Sequence, residues 1–146
     1  MNTRTILLVE DNPDDEMLAL LAFRKNNVVS PVIVARDGQE AVDYLFNPAN
    51  ALPAFILLDL KLPKIEGLEV LKRVRADERT KLVPVIILTS SSQDADLRAT
   101  YIAGANSYLR KALDLDRFTA AIGALASYWL GCNEPPPASD GSRQDL

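Results

Sequence analysis

Three carboxylates, a hydroxyl and an ammonium group stand in this chain where they can act together. Glu10 and Asp11 follow the apolar run Ile6-Leu7-Leu8-Val9, and Asp59 follows Phe55-Ile56-Leu57-Leu58. Thr89 closes Val85-Ile86-Ile87-Leu88, and Lys111 follows Tyr108-Leu109-Arg110. Short apolar runs of this kind read as buried parallel strands, and open α/β sheets bind their ligands in the crevice beyond the carboxyl ends of such strands. Carboxylates gathered at one rim repel by roughly 4 kcal/mol per pair at ~4 Å and an effective dielectric of about 20, so the arrangement calls for a cation. An all-oxygen donor set suits a hard divalent ion, and Mg2+ is favoured because it accepts a few carboxylates together with waters and a phosphoryl oxygen. Lys111 adds a mobile positive charge and Thr89 a hydroxyl donor, which makes a pocket for a tetrahedral oxyanion on Asp59. The fitting chemistry is attack of the Asp59 carboxylate on phosphorus to give an aspartyl phosphate. That reaction depends on positioning and charge stabilisation rather than on a general base.

Composition excludes most other chemistry. The 146 residues contain no histidine, which removes the usual general base and both serine-histidine and cysteine-histidine triads. Any phosphohistidine donor must therefore be another chain. The single cysteine, Cys132, allows neither an internal disulfide nor a thiolate metal cage. Sixteen scattered Lys and Arg against twenty acids, a net charge of −4, argue against direct nucleic-acid binding. No apolar stretch reaches eighteen residues and Met1-Asn2-Thr3-Arg4 lacks the apolar core of a signal peptide, so no membrane span and a cytoplasmic location are expected.

The elements that must position these groups alternate along the chain. Strand-like runs cover Thr5 to Val9, Val32 to Ala35, Phe55 to Leu58, Val85 to Leu88 and Ser107 to Leu109. Between them the spacing predicts helices. Met17, Leu18, Leu21 and Phe23 form the first apolar face, after Asn12-Pro13-Asp14-Asp15-Glu16 with proline and acids as start signals. Ala41, Val42, Leu45 and Phe46 form the second face, and Leu68, Val70, Leu71 and Val74 the third; a fourth helix is expected from about Ser92 to Ala103 and a fifth from about Asp114 to Leu130. Such alternation implies an α/β fold with right-handed crossovers and helices on both faces of a parallel sheet. Five repeats fit the flavodoxin-like doubly wound order 2-1-3-4-5. One domain is expected over residues 4–131, followed by a flexible proline-containing tail over 132–146 whose Pro135-Pro136-Pro137 reads as solvated terminus rather than docking motif.

Each group also has a plainer reading. Glu10-Asp11 can start a helix, although Asp14 and Asp15 are available for that dipole role. Thr89-Ser90-Ser91-Ser92 can be a loop with a cap at Ser91 or Ser92, which leaves Thr89 free. Tyr108 can be a packed aromatic in one state and a switch in another.

Taken jointly, Glu10-Asp11, Asp59 with Pro63 and Gly67, Thr89 with Ser90, Tyr108 and Lys111 resemble the receiver domains of bacterial two-component response regulators, over residues 4 to about 130. The resemblance implies a single-domain switch rather than a metabolic enzyme, with magnesium-dependent self-phosphorylation and autodephosphorylation only. It implies that a partner histidine kinase phosphorylates Asp59, promoted by Lys111 and Thr89. It further implies that Mg2+ sits on Asp11, Asp59 and the Lys61 backbone carbonyl, with Glu10 helping through water, and that Thr89 and Tyr108 reorient afterwards. Val34-Ala35-Arg36-Asp37-Gly38, Gly104-Ala105-Asn106-Ser107-Tyr108-Leu109, the segment before Val85 and Tyr128-Trp129 look most like the small stand-alone regulators that accompany bacterial phytochromes. That narrower likeness implies a bacteriophytochrome as kinase and a dimeric regulator without a DNA-binding domain.

Two departures stand out. Ala112 occupies the place after the lysine where the family usually has a cis proline; a cis bond there would cost about 2.5 to 4 kcal/mol, so a trans bond is expected. Glu10 replaces the aspartate of many relatives, and its extra methylene favours a water-mediated metal contact. Among alternatives, a degenerate receiver acting as a binding module would have lost its phosphoacceptor or lysine, and both are present. An aspartate-nucleophile phosphatase needs a second aspartate two residues after the first, where this chain has Lys61.

The last helix carries no charge from Phe118 to Cys132. A helix apolar nearly all round should be buried on more than one side. Phe118, Ile122, Leu125, Tyr128 and Trp129, with the fourth-helix and fifth-strand face, are accordingly expected to form a homodimer.

Overall fold

The computed structural model describes residues 4–91, 93–111 and 114–137. Five strands, β1 (Ile6–Val9), β2 (Val32–Ala35), β3 (Phe55–Leu58), β4 (Val85–Thr89) and β5 (Ser107–Arg110), form one parallel sheet in the order β2-β1-β3-β4-β5. The helices α1 (Pro13–Lys25), α2 (Gly38–Leu45), α3 (Gly67–Ala76), α4 (Asp94–Ala103) and α5 (Leu115–Ser127) make the crossovers, and a π-helical turn, Tyr128–Cys132, extends α5. This is the expected flavodoxin-like topology. Among the described residues no helix is long and apolar enough to cross a membrane.

Strand alternation divides the core into two layers. Ile6, Leu8, Phe55, Leu57, Ile86 and Leu88 point towards α1 and α5, where they meet Ala19, Ala22, Phe23, Phe118, Ile122 and Ala126. Leu7, Val9, Ile56, Leu58, Val85 and Ile87 point the other way, onto Ala41 and Leu45 of α2 and Val70, Leu71 and Val74 of α3. Each large side chain so withdrawn from water contributes roughly 1.5 to 3 kcal/mol. The pairing puts Val9 opposite both Ala35 and Leu58, and Leu58 opposite Ile87. The strands therefore finish level, and the residue after each one emerges at a common rim.

Two helices differ from their predicted faces. In α1, Met17 and Leu18 lie exposed while Ala19 and Ala22 turn inward. Small residues are needed there because α1 runs close to α5: the Asn26 side chain donates to the carbonyls of Ala22 and Thr119 at 2.8 and 3.0 Å. In α5, Phe118 and Ile122 are buried against the chain's own sheet. They are thereby withdrawn from the expected interface. Leu125 and Trp129 pack part-buried on the same layer, whereas Tyr128 is exposed.

Local chemistry sets the helix ends. Asn12 caps α1 by accepting the Asp14 and Asp15 N–H groups at 2.9 and 3.1 Å. Asp37 and Asp114 cap α2 and α5 in the same way. α4 starts at Asp94 rather than at Ser92, after Gln93, and has no side-chain cap bond. It ends at Gly104 in the left-handed region, with φ of 108°. Ala112 and Ser92, and the tail beyond Pro137, lie outside the described residues, so the expected trans bond, the Ser92 cap and most of the expected tail fall there too.

Candidate functional site

Backbone hydrogen bonds carry the sheet one residue past its strands and so aim the polar groups. Glu10 donates its N–H to the Ala35 carbonyl at 2.9 Å, Asp59 to Val9 at 3.1 Å, and Lys111 to Thr89 at 2.8 Å. Behind Asp59 the chain turns back on itself. Gly67 donates to the Leu60 carbonyl at 2.9 Å, and a Cβ at this position would stand 2.1 Å from the Asp59 carbonyl oxygen. Only glycine lets α3 begin so near, which explains its place eight residues after the aspartate.

Four of the five expected groups meet at this rim. Oxygens of Glu10, Asp11 and Asp59 lie within 4.8 Å of one another. The Lys111 ammonium reaches Glu10 Oε1 at 2.6 Å and Asp59 Oδ2 at 3.0 Å. The absent proline therefore does not withdraw the lysine. Glu10 and Asp59 are buried, while Asp11 is open to solvent. Glu10 makes a direct ion pair, and its Oε2 also accepts the Asn12 N–H at 3.2 Å. The Lys61 N–H donates to Asp59 Oδ1 at 3.3 Å.

Charge burial sets the proton affinities. Desolvation pushes the Glu10 carboxyl up to about 7, against the pull of the Lys111 ammonium. Burial also works against the charge of Lys111, but the bonds to Glu10, Asp15 and Asp59 outweigh it and hold the amine above the ordinary lysine value. Three acids, two of them buried, with one ammonium leave a surplus of negative charge. An oxygen donor set at this spacing fits a hard divalent cation.

Sequence reasoning missed one member. Asp15, assigned only to the helix dipole, contacts Lys111 at 2.9 Å. The available signal was its position one helical turn beyond Asp11, which brings an acid of α1 back over the rim.

Thr89 and Tyr108 sit at the neighbouring corner. Thr89 is fully buried, and its hydroxyl accepts the Ser91 N–H at 3.4 Å. Tyr108 is half-buried and donates its hydroxyl to the Ser91 carbonyl at 3.2 Å. Ser91 is not the cap of α4; its Oγ donates to Asp96 at 2.5 Å and accepts the Gln93 N–H at 3.4 Å. The two expected switch residues thus meet on one backbone unit ahead of α4.

A doubly wound sheet with acids after β1 and β3, a hydroxyl ending β4 and a lysine after β5 is the arrangement expected of a receiver domain. Residues 6–123 match the response regulator receiver domain, and the chain belongs to that family. It is similar to the probable methanogenesis regulatory protein FilR2 of Methanothrix harundinacea (strain 6Ac), with 41% identity over 90% of this chain and 86% of the relative. Among solved structures it resembles the phosphorylated cyanobacterial phytochrome response regulator RcpA, at 35% identity and a TM-score of 0.85, covering 93% of this chain and 100% of that one. It also resembles the bacteriophytochrome response regulator AtBRR, at 44% identity and a TM-score of 0.73, covering 92% and 100%.

Proposed function

We propose that the chain is a response regulator switch in which Asp59 accepts a phosphoryl group from a histidine kinase. The observation that carries this reading is the Lys111 ammonium 3.0 Å from Asp59 Oδ2, at a rim shared with Glu10 and Asp11. Asp59 attacks phosphorus, forming an O–P bond as the P–N bond of the phosphohistidine breaks and the electron pair leaves with the imidazole. Lys111 turns one N–H from a carboxylate to a phosphoryl oxygen, and the Thr89 hydroxyl gives up the Ser91 N–H to donate to another. Glu10, Asp11, Asp59 and the Lys61 carbonyl would hold a Mg2+ ion, which would supply neutralisation of the phosphoryl charge. The same groups position water for slow autodephosphorylation, and self-phosphorylation together with this hydrolysis is the extent of its catalysis.

The output follows from the Ser91 junction. When Thr89 turns inward, Tyr108 loses its fixed partner, and the surface of α4, β5 and α5 shifts between two populations. Tyr101, Ile102 and Tyr128 are exposed apolar side chains on α4 and at the end of α5. This face, with part-buried Leu125 and Trp129, is the proposed homodimer contact, or the contact for a downstream protein in the cytoplasm. Likeness to RcpA and AtBRR supports a bacteriophytochrome as the kinase, while likeness to FilR2 keeps a donor of other sensory input in view.

Incubation with magnesium and acetyl phosphate, read by intact mass, tests the core of the reading. Wild type should gain one phosphate and Asp59→Asn none; equal labelling of both would make another residue the acceptor. Absence of label with every small donor and every kinase tried would favour a binding module. Transfer from a red/far-red photoreceptor kinase, compared in the two light states, tests the upstream partner.

A further inference from the structure

Lys111 has three N–H bonds and three carboxylate partners: Glu10 at 2.6 Å, Asp15 at 2.9 Å and Asp59 at 3.0 Å. A phosphoryl oxygen can reach the ammonium only by displacing one of them. Glu10 and Asp59 side chains are 2% and 9% exposed, and that of Asp15 is 36% exposed, so Asp15 is the partner released most cheaply. Asp15 also lines, with Lys111, a cavity of about 210 Å³ whose other walls are Leu18, Leu88, Leu115 and Phe118. Its part-exposed carboxylate thus stands beside the ammonium, between the site and that cavity, a negative charge that is not among the grouped metal-ligating oxygens.

Resting on the phosphoacceptor reading above, we infer that Asp15 is a specificity-determining residue, which sets the site against dianionic phosphodonors and in favour of donors carrying a protonated P–N bond. Two effects act in the same direction. Asp15 occupies an N–H that the phosphoryl group needs, and its charge repels an approaching dianion. A phosphoramidate arrives with one negative charge fewer, because its nitrogen is protonated. As Asp59 forms the O–P bond, the P–N bond breaks, its electron pair goes to that nitrogen, and ammonia leaves. Acetyl phosphate instead expels acetate with the electron pair of the P–O bond and meets the full repulsion. Removing Asp15 does not free Lys111 to wander, since its two other carboxylate partners, Glu10 and Asp59, are buried and still hold it.

The test compares initial rates of mass labelling with acetyl phosphate and with phosphoramidate, at saturating magnesium. Asp15→Asn should raise the acetyl phosphate rate constant about fivefold and the phosphoramidate one less than twofold, and the gap should narrow in about 0.5 M salt as screening shortens the reach of the charge. Asp15→Glu should behave like wild type. Asp14→Asn, which removes a neighbouring acid that makes no bond to Lys111, should change neither rate. Equal changes with both donors, a slower acetyl phosphate reaction, or Asp15→Glu matching Asp15→Asn would overturn the inference and leave the proposed function intact. No label on wild-type Asp59 from either donor would remove both.

Discussion

The rim formed by β1, β3 and β5 and the corner after β4 are held together in opposite ways. At the rim, buried carboxylates and an ammonium meet at 2.6 to 3.0 Å, on strand ends locked by backbone bonds. At the corner, Thr89, Tyr108 and Gln93 touch Ser91 through neutral contacts of 3.2 to 3.4 Å, a single charge-assisted bond runs from Ser91 Oγ to Asp96 at 2.5 Å, and α4 begins without a side-chain cap. Charge-assisted bonds are roughly twice as strong as neutral ones. On the proposed function, the chemistry would sit on the stiffer part of the molecule and the response on the softer part. In the proposed switch, phosphoryl contacts would move the corner while the strand ends of the rim keep their backbone bonds.

Removing the nucleophile breaks the comparison most completely: Asp59→Asn should abolish phosphate labelling while leaving the corner's hydrogen bonds in place, as seen in amide spectra of Ser91 and Tyr108. Lys111→Ala comes next. It strips the buried Glu10 and Asp59 of their counter-charge, and breaking such a pair from one side costs about 3 kcal/mol. Urea melts should show that loss at neutral pH, and a smaller one near pH 5 where Glu10 takes up a proton. Gly67→Ala drives a Cβ to 2.1 Å from the Asp59 carbonyl. Overpacking of this kind costs about 1 to 3 kcal/mol, and thermal melts and slower labelling should report it together.

The pH dependence sharpens the electrostatic side. The folded Glu10 carboxyl titrates at about 7, above the ordinary 4.5, so the folded state binds a proton that the unfolded chain has released. Its contribution to stability is full below about 4.5 and is lost as pH rises through about 7. Denaturant midpoints should fall over that window without magnesium, and Glu10→Gln should flatten the slope. The smallest effect belongs to the soft corner. Tyr108→Phe removes one neutral hydrogen bond, costing about 1 kcal/mol or less. Labelling should be unchanged, whereas the change in sedimentation on phosphorylation should be reduced.

Much of the rim was legible because each functional group directly follows a strand-like run, and right-handed crossovers leave few ways to order five such strands. Gly67 was legible as part of the motif, though its reason, contact with the Asp59 carbonyl, was not. The first helix misled because Met17-Leu18-Ala19-Leu20-Leu21-Ala22-Phe23 is apolar at every position. Periodicity then cannot choose the inward face, and the close approach of α5 chose alanines over Met17 and Leu18. Phe118 and Ile122 were read as surplus apolar surface because a sequence does not reveal how much of a stripe its own sheet will cover.

Local pattern, then, determined the elements, their order and the residues that end them, since strand and helix periods and turn chemistry act over a few positions. Tertiary structure alone decided that Asp15 shares Lys111, that Ser91 joins Thr89 to Tyr108, and which side of α1 and α5 meets the core. These depend on the distances between elements far apart in the chain, which are set by how closely side chains of particular size let the helices and sheet approach.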